Sequence, residues 1–210
     1  MRGFEITGGD GDVVKRHASS LAPIERFQEW YDEALAAGVR QPDAMTLATV
    51  GPDGRPHART VLLRGLDERG FAFFTNFDSA KGADLAAHPV AALVFHWREQ
   101  ERQVRVTGPV SRLPDADADA YWATRPRGHQ LSAWASPQSQ VVDPDALAEA
   151  VAACDARFGT EPPPRPPFWG GYVVAVDELE CWQGRPDRLH ERRRWRRADD
   201  GSWLQERLAP

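Results

Sequence analysis

The chain has 210 residues and a formal net charge of -5, with 41% hydrophobic and 27% charged residues. That balance fits a globular protein of one large domain or two small ones with a full core, and the acidic excess argues against a broad nucleic-acid surface. No run is long and apolar enough for a membrane-spanning helix, and the N-terminal stretch MRGFEITGGDGDVVKRH has no apolar signal core, so neither membrane insertion nor export is expected.

Residues 1–20 are Gly-, Asp- and Ser-containing without an apolar period and read as a mobile N-terminal arm. Residues 21–210 show no internal linker and read as a single domain. From Pro23 the apolar positions Ile24, Phe27, Tyr31, Ala34 and Leu35 follow helical spacing, and Gly38 stops the helix near Val39. Short strands follow: MTLATV (45–50), HARTVLLR (57–64) and FAFFT (71–75), separated by the turn sequences GPDGRP and LDERG. DSAKGADLAAHP predicts a short helix capped by Asp78 or Ser79. VAALVFHW (90–97) is apolar enough to be buried on both faces, and RQVRVTGPV (102–110) is a further strand. Helices are predicted over 114–126 and, behind an Asp143 cap, over 143–159; the Pro-rich EPPPRPPFWGG is an extended connection. Strands return at 172–176, 178–183, 190–197 and 202–208, with ADDG as a hairpin turn. Cys154 falls in a helix and Cys181 in a strand, and both read as small buried hydrophobes. Two cysteines are too few for a disulfide framework, so a reducing cytoplasm is the simplest location. Strands dominate and do not alternate strictly with helices, which excludes a doubly wound sheet and favours a mainly antiparallel β-barrel with peripheral helices.

Four stretches carry chemistry. RTVLLR (59–64) places an arginine at each end of an apolar strand; strict alternation puts Arg59 and Arg64 on opposite faces, so a shared ligand requires a bulge or a wrapped strand end. TNFDSAK (75–81) runs from a strand end into a helix start, a natural anion site with hydroxyls, free N–H groups and Lys81, the only lysine of the predicted domain. YWATRPRGHQ and SAWASPQS, spanning 121–139, read as a donor-rich binding loop leaving a helix. CWQGRPDRLHERRRW (181–195) reads locally as an exposed strand whose arginines are balanced by nearby acids such as Glu178 and Glu180.

These motifs, together with FFTN, ERQVRVTG, FWGGY and the terminal RLAP, resemble the pyridoxamine 5′-phosphate oxidase family in order and spacing from about Pro23 to Pro210. The resemblance implies a homodimeric antiparallel split β-barrel that binds FMN at the subunit interface. It also implies oxidation of pyridoxine or pyridoxamine 5′-phosphate by O₂ to pyridoxal 5′-phosphate, with release of H₂O₂. By position, the FMN-binding residues are Arg59, Thr60, Val61, Leu62, Leu63, Arg64, Phe74, Thr75, Lys81, Gln103, Gln138, Ser139, Trp182 and Arg192. The substrate phosphate falls to Tyr121, Arg125, His129 and Arg64, and the pyridine ring to Arg188 and His190, which also take the catalytic role. The chain departs from the usual pattern at Arg64 (usually Lys), His129 (usually Ser), Ala80 (often Arg) and Phe74 (often Tyr). The alternatives of the same fold are an oxidase of reduced phenazine precursors and a non-catalytic flavin- or pyridoxal-phosphate-binding protein.

Overall fold

The computed structural model describes residues 14–17, by backbone alone, and 22–210. These form eleven strands and five α-helices: β1 (Val14–His17), α1 (Ala22–Ala36), β2 (Ala44–Val50), β3 (Pro56–Leu62), β4 (Gly65–Asp67), β5 (Gly70–Asn76), α2 (Ala80–Ala87), β6 (Val90–Trp97), β7 (Arg102–Arg112), α3 (Asp115–Thr124), α4 (Arg127–Ala135), α5 (Pro144–Phe158), β8 (Trp169–Val174), β9 (Glu178–Gln183), β10 (Glu191–Arg197) and β11 (Trp203–Leu208). No helix among the described residues is long and apolar enough to cross a membrane.

Every strand pair is antiparallel, and the long β7 is the branch point. One edge of β7 pairs with β6 over Arg102–Pro109. The other edge pairs first with β9 (Arg102–Thr107) and then with β8 (Val110–Arg112). From this fork one path continues β6-β2-β3, another β8-β5-β4, and a third β9-β10-β11-β1. The first two paths curl toward each other as the walls of a barrel. They meet where the Arg64 amide donates to the Ala72 carbonyl at 2.8 Å, while β3 itself pairs only with β2. The result is the expected split barrel, with a wing formed by β9, β10, β11 and β1. At the fork, Gly108 is required: a Cβ there would lie 1.9 Å from the Ala175 carbonyl oxygen, on the connection that crosses from β8 to β9.

The barrel interior is filled from one end by α1. Phe27, fully buried, packs edge-on to Phe71 with ring centroids 4.7 Å apart and tilted on Phe95 at the same distance. Met45, Leu47, Leu93, Val104, Val106 and Leu179 complete this core.

The structure departs from the sequence reading at several places. Within the arm assigned to 1–20, Val14–His17 pairs with β11 instead of hanging free, because the edge of β11 offers it a backbone ladder; the rest of that arm lies outside the described residues. β6 is buried on one face only: Ala91, Leu93, Phe95 and Trp97 point inward while Val90 and His96 are exposed. The donor-rich segment after Arg125 is a helix, α4, not a loop; only Gln130 and Leu131 of it are buried, too few to give a visible period. Cys181 is buried but Cys154 only partly, because α5 buries none of its residues. The predicted helix cap is Ser79, whose side chain accepts from the Gly82 amide. The Pro-rich connection is extended and is tied down by two indoles, Trp122 Nε1 donating to the Pro163 carbonyl at 2.8 Å and Trp134 Nε1 to the Pro164 carbonyl at 2.7 Å.

Replacing Phe27 by Ala is expected to cost about 3–5 kcal/mol, the range for deleting a buried aromatic. Equilibrium denaturation should show it as a lower midpoint, and an unchanged midpoint would mean that α1 does not close the barrel.

Candidate active site

The split between β3 and β5 is a groove of roughly 570 Å³. One wall is the outer edge of β3, which has no strand partner; the other is the end of β5 with α2, α3 and α4. Arg59, Thr60, Val61 and Leu62 line it along β3, and Phe74, Thr75 and Lys81 line it across the gap. Tyr121, Arg125, His129, Gln138 and Ser139 close its far side. The alternation problem posed by Arg59 and Arg64 dissolves here. β3 ends at Leu62, Leu63 turns into the core, and Arg64 comes back to the groove beyond the strand. The Leu63 side chain is therefore part of the core and does not line the groove.

One end of the groove is built for an anion. Lys81, in the first turn of α2, is buried, and its Nζ donates to Thr75 Oγ1 (3.1 Å), Ser79 Oγ (3.1 Å) and Gln138 Oε1 (3.0 Å). Burial, with the nearby Arg59 charge, lowers its pKa to about 8, against which Asp84 acts weakly. Arg59 is held by Thr49 Oγ1 (2.5 Å) and the Leu47 carbonyl (3.3 Å). Ser139 sits in the left-handed region at φ 76°, and its Oγ accepts from the Ala80 amide at 3.1 Å. A helix start, a lysine, an arginine and two hydroxyls thus converge on one end of the groove.

The other end is aromatic and basic. The rings of Phe74 and Tyr121 stack at 4.1 Å, and Trp169 continues the stack at 5.6 Å from Phe74. Arg125 lies over the Trp169 ring at 4.8 Å. Its Nη2 donates to the His129 carbonyl at 3.0 Å, but its Nε is buried with no partner. Burial lowers the Arg125 pKa, with Tyr121 opposing; the group stays cationic. Arg125 lines the groove, so its guanidinium charge is available to an anion there. Arg64 is drawn to Asp43 Oδ2 at 2.6 Å, so the longer side chain that replaces the usual lysine is anchored at its tip.

The remaining expected site residues do not line this groove: Gln103 is on β7, and Trp182, Arg188, His190 and Arg192 are on the wing. Gln103 and Trp182 are cross-strand partners on β7 and β9, and Trp182 faces Arg192 on β10. The Trp182 and His190 rings are 4.7 Å apart. The backbone at Asp187 and Arg188 is left-handed, at φ 56° and 61°, which stores strain in the loop carrying the RLH motif. The Arg185 amide donates to His190 Nδ1 at 3.2 Å, leaving Nε2 to carry the ring proton. Arg192 forms a bidentate pair with the buried Glu180, at 2.7 and 3.1 Å. Arg194 and Arg196 are likewise balanced by Glu206, as the acid-paired strand reading expects.

Three contributors escaped the sequence reading: Trp169, Thr49 and Asp84. Trp169 stood in FWGGY without a role. Asp84 was visible only as one acid in an otherwise apolar helix.

Residues 31–154 match the family described as Pyridoxamine 5′-phosphate oxidase, and residues 169–210 match the Pyridoxine 5′-phosphate oxidase C-terminal dimerisation region. The pyridoxine/pyridoxamine 5′-phosphate oxidase of Salinibacter ruber is 56% identical over 90% of this chain and 89% of its own. That of Cupriavidus pinatubonensis is 55% identical over the same shares. Among solved structures, PhzG from Burkholderia lata in complex with tetrahydrophenazine-1-carboxylic acid is 34% identical with a TM-score of 0.84, covering 90% of this chain and 92% of that one. A pyridoxamine 5′-phosphate oxidase-related, FMN-binding protein from Nostoc punctiforme shares the fold at a TM-score of 0.71 and 20% identity, covering 88% of this chain and 97% of its own. With a split barrel, a match to the family model over 31–154 and relatives at this identity along nine-tenths of its length, the chain belongs to the pyridoxamine 5′-phosphate oxidase family of oxidoreductases.

Proposed function

We propose that the protein is an FMN-dependent oxidase that converts pyridoxamine and pyridoxine 5′-phosphate to pyridoxal 5′-phosphate, consuming O₂ and giving H₂O₂. The observation that carries this reading is a groove with two separate anion-holding ends. Lys81, Arg59 and the α2 start suit the phosphate of FMN. The Arg125 guanidinium, with Tyr121, His129 and Arg64 lining the same end, suits the phosphate of a second, smaller molecule. A reduced phenazine carboxylate has no phosphate to satisfy that end.

FMN fits the donor set. Unpaired N–H and C=O groups along the β3 edge can meet the polar rim of a flat heterocycle. When bound, FMN supplies the two-electron acceptor that O₂ regenerates. The chain's residues supply placement. The Arg125 end grips substrate at a distance from the reacting carbon, so remote binding energy orients the ring. Arg188 and His190 belong over the exposed ring face, together with the flavin contacts Gln103, Trp182 and Arg192. None of them lines its own chain's groove, so we place them over the groove of a second protomer. The dimerisation region, residues 169–210, carries four of these five.

Two measurements test this. The FMN-loaded protein should oxidise pyridoxamine 5′-phosphate in air and leave reduced phenazines untouched. Arg125→Ala should raise KM about tenfold or more with FMN retained, as loss of a charged hydrogen bond does; equal turnover of both substrate classes, or an unchanged KM, would sink the phosphate assignment.

The affinity for FMN should depend on the charge of Lys81. Its folded pKa lies below the unfolded one, so the ligand-free fold holds fewer protons than the unfolded chain between about 8 and 10.5. A phosphate beside Nζ favours the protonated amine. The FMN dissociation constant should therefore rise about tenfold from pH 7 to pH 9, the factor for one proton at a pKa near 8, and Lys81→Gln should flatten the rise.

Mixed dimers report which chain supplies which half. Chains carrying Arg125→Ala and chains carrying His190→Ala, co-folded and assayed below KM, should regain about a quarter of wild-type activity, since half the dimers then hold one intact site of two. No recovery above the separate variants would place both halves in one chain.

A further inference from the structure

Beneath the anion end of the groove, one carboxylate joins three elements. Asp84 lies on α2, one turn beyond Lys81, and is almost wholly buried. Its Oδ2 accepts from Thr49 Oγ1 of β2 at 2.6 Å and from Arg59 Nη2 of β3 at 3.3 Å, and lies 3.0 Å from His57 Nδ1, also of β3. Burial alone would raise the pKa of this acid. The hydrogen bonds from Thr49 and His57 and the charges of His57 and Arg59 outweigh it and hold the pKa below the ordinary carboxylate value.

We infer that Asp84 is a positioning residue for cofactor binding: it aims the Arg59 guanidinium at the phosphate end of the groove before the ligand arrives. This rests on the reading of that end as the FMN phosphate site.

The geometry supports it in three ways. First, Arg59 is held along one side by acceptors on β2 and α2, namely the Leu47 carbonyl, Thr49 Oγ1 and Asp84 Oδ2. Its other N–H groups are left toward the groove that it lines. Second, Asp84 sets the polarity of the network. The Thr49 hydroxyl has one proton, and donating it to Asp84 turns an oxygen lone pair toward Arg59 Nη1. Without the carboxylate that hydroxyl is free to rotate and no longer presents a fixed acceptor. Third, the groove end brings together the cations of Arg59 and the buried Lys81. In the absence of a phosphate they repel each other, and Asp84 supplies the counter-charge that holds Arg59 in place beside Lys81. The same carboxylate therefore preorganises the cradle and, being negative, opposes the incoming anion. Three hydrogen bonds in a buried setting favour orientation as the larger effect.

The test compares FMN with riboflavin, which lacks the phosphate, by fluorescence titration of the flavin-free protein. Asp84→Ala should weaken FMN binding about tenfold and leave riboflavin within about twofold of wild type. Asp84→Asn, which keeps an acceptor oxygen, should recover most of the FMN affinity. In an Arg59→Ala background the effect of Asp84→Ala should vanish, because the carboxylate acts through that guanidinium. FMN binding to Asp84→Ala as tight as or tighter than wild type would overturn the inference, leaving the carboxylate only as a charge that opposes the ligand. Equal losses for FMN and riboflavin in both Asp84 variants would overturn it too, showing a general role in folding. Wild-type protein that fails to prefer FMN over riboflavin would instead refute the phosphate reading itself.

Discussion

The structure turns on a backbone edge left unpaired. β3 bonds to β2 on one side only, and its other side faces the groove. A free strand edge is ordinarily a liability, since its N–H and C=O groups seek a partner from another chain. Here the edge lines the groove, so its free groups are available to a ligand lying there. Closing the barrel would bury the edge and erase the groove. The two walls join only where the chain leaving β3 pairs with β5, through the Arg64–Ala72 bond and the β4–β5 ladder, while β3 itself has no partner on that side. What holds the walls apart is the fork at β7. There the close crossing over Gly108 sends one path to β8 and another to β9.

Around this split, polar groups are arranged so that each burial cost is met inside the chain. Lys81 finds three acceptors, Arg59 finds three more, and Arg192 is matched by Glu180. The Arg125 Nε is the exception within the groove. The two ends of the groove are both basic, but Lys81 and Arg59 are fixed by hydrogen bonds from several elements, whereas Arg125 is fixed chiefly by ring stacking and the His129 carbonyl.

Much of this was legible in the sequence because it rests on short-range signals. Alternating β-branched and aromatic runs located β2, β5, β7, β9, β10 and β11, and the Ser79 and Asp143 caps located α2 and α5. The site motifs gave both walls of the groove. What stayed hidden depends on tertiary partners. β1 exists through pairing with β11 and has no period of its own. α4 buries two residues, below the threshold of a visible amphipathic stripe. The shared orientation of Arg59 and Arg64 follows from β3 ending at Leu62, where Leu63 enters the core, and no strand pattern announces that break. Asp84 was unreadable for a related reason: its three partners come from strands 25 to 35 positions earlier in the chain.

The basic stretch over 181–195 shows how charge density can mislead. On β10 its arginines are absorbed by acids: Arg192 by Glu180, Arg194 and Arg196 by Glu206, and Arg193 by Glu191. Among the side chains of this stretch, Arg188 is distinguished by its strained left-handed backbone, and His190 by a ring held between Trp182 and the Arg185 amide. Strain persists where surrounding structure over-determines it, and here the Arg185–Glu191 pair closes the loop at its base. The wing is therefore a neutralised frame that presents two preorganised side chains. On the function proposed above, such a frame would need no excess positive potential, because the substrate phosphate would be met elsewhere, at the Arg125 end of the groove. Dividing the work in this way would let a protein with a net charge of -5 handle two phosphorylated ligands without a basic surface.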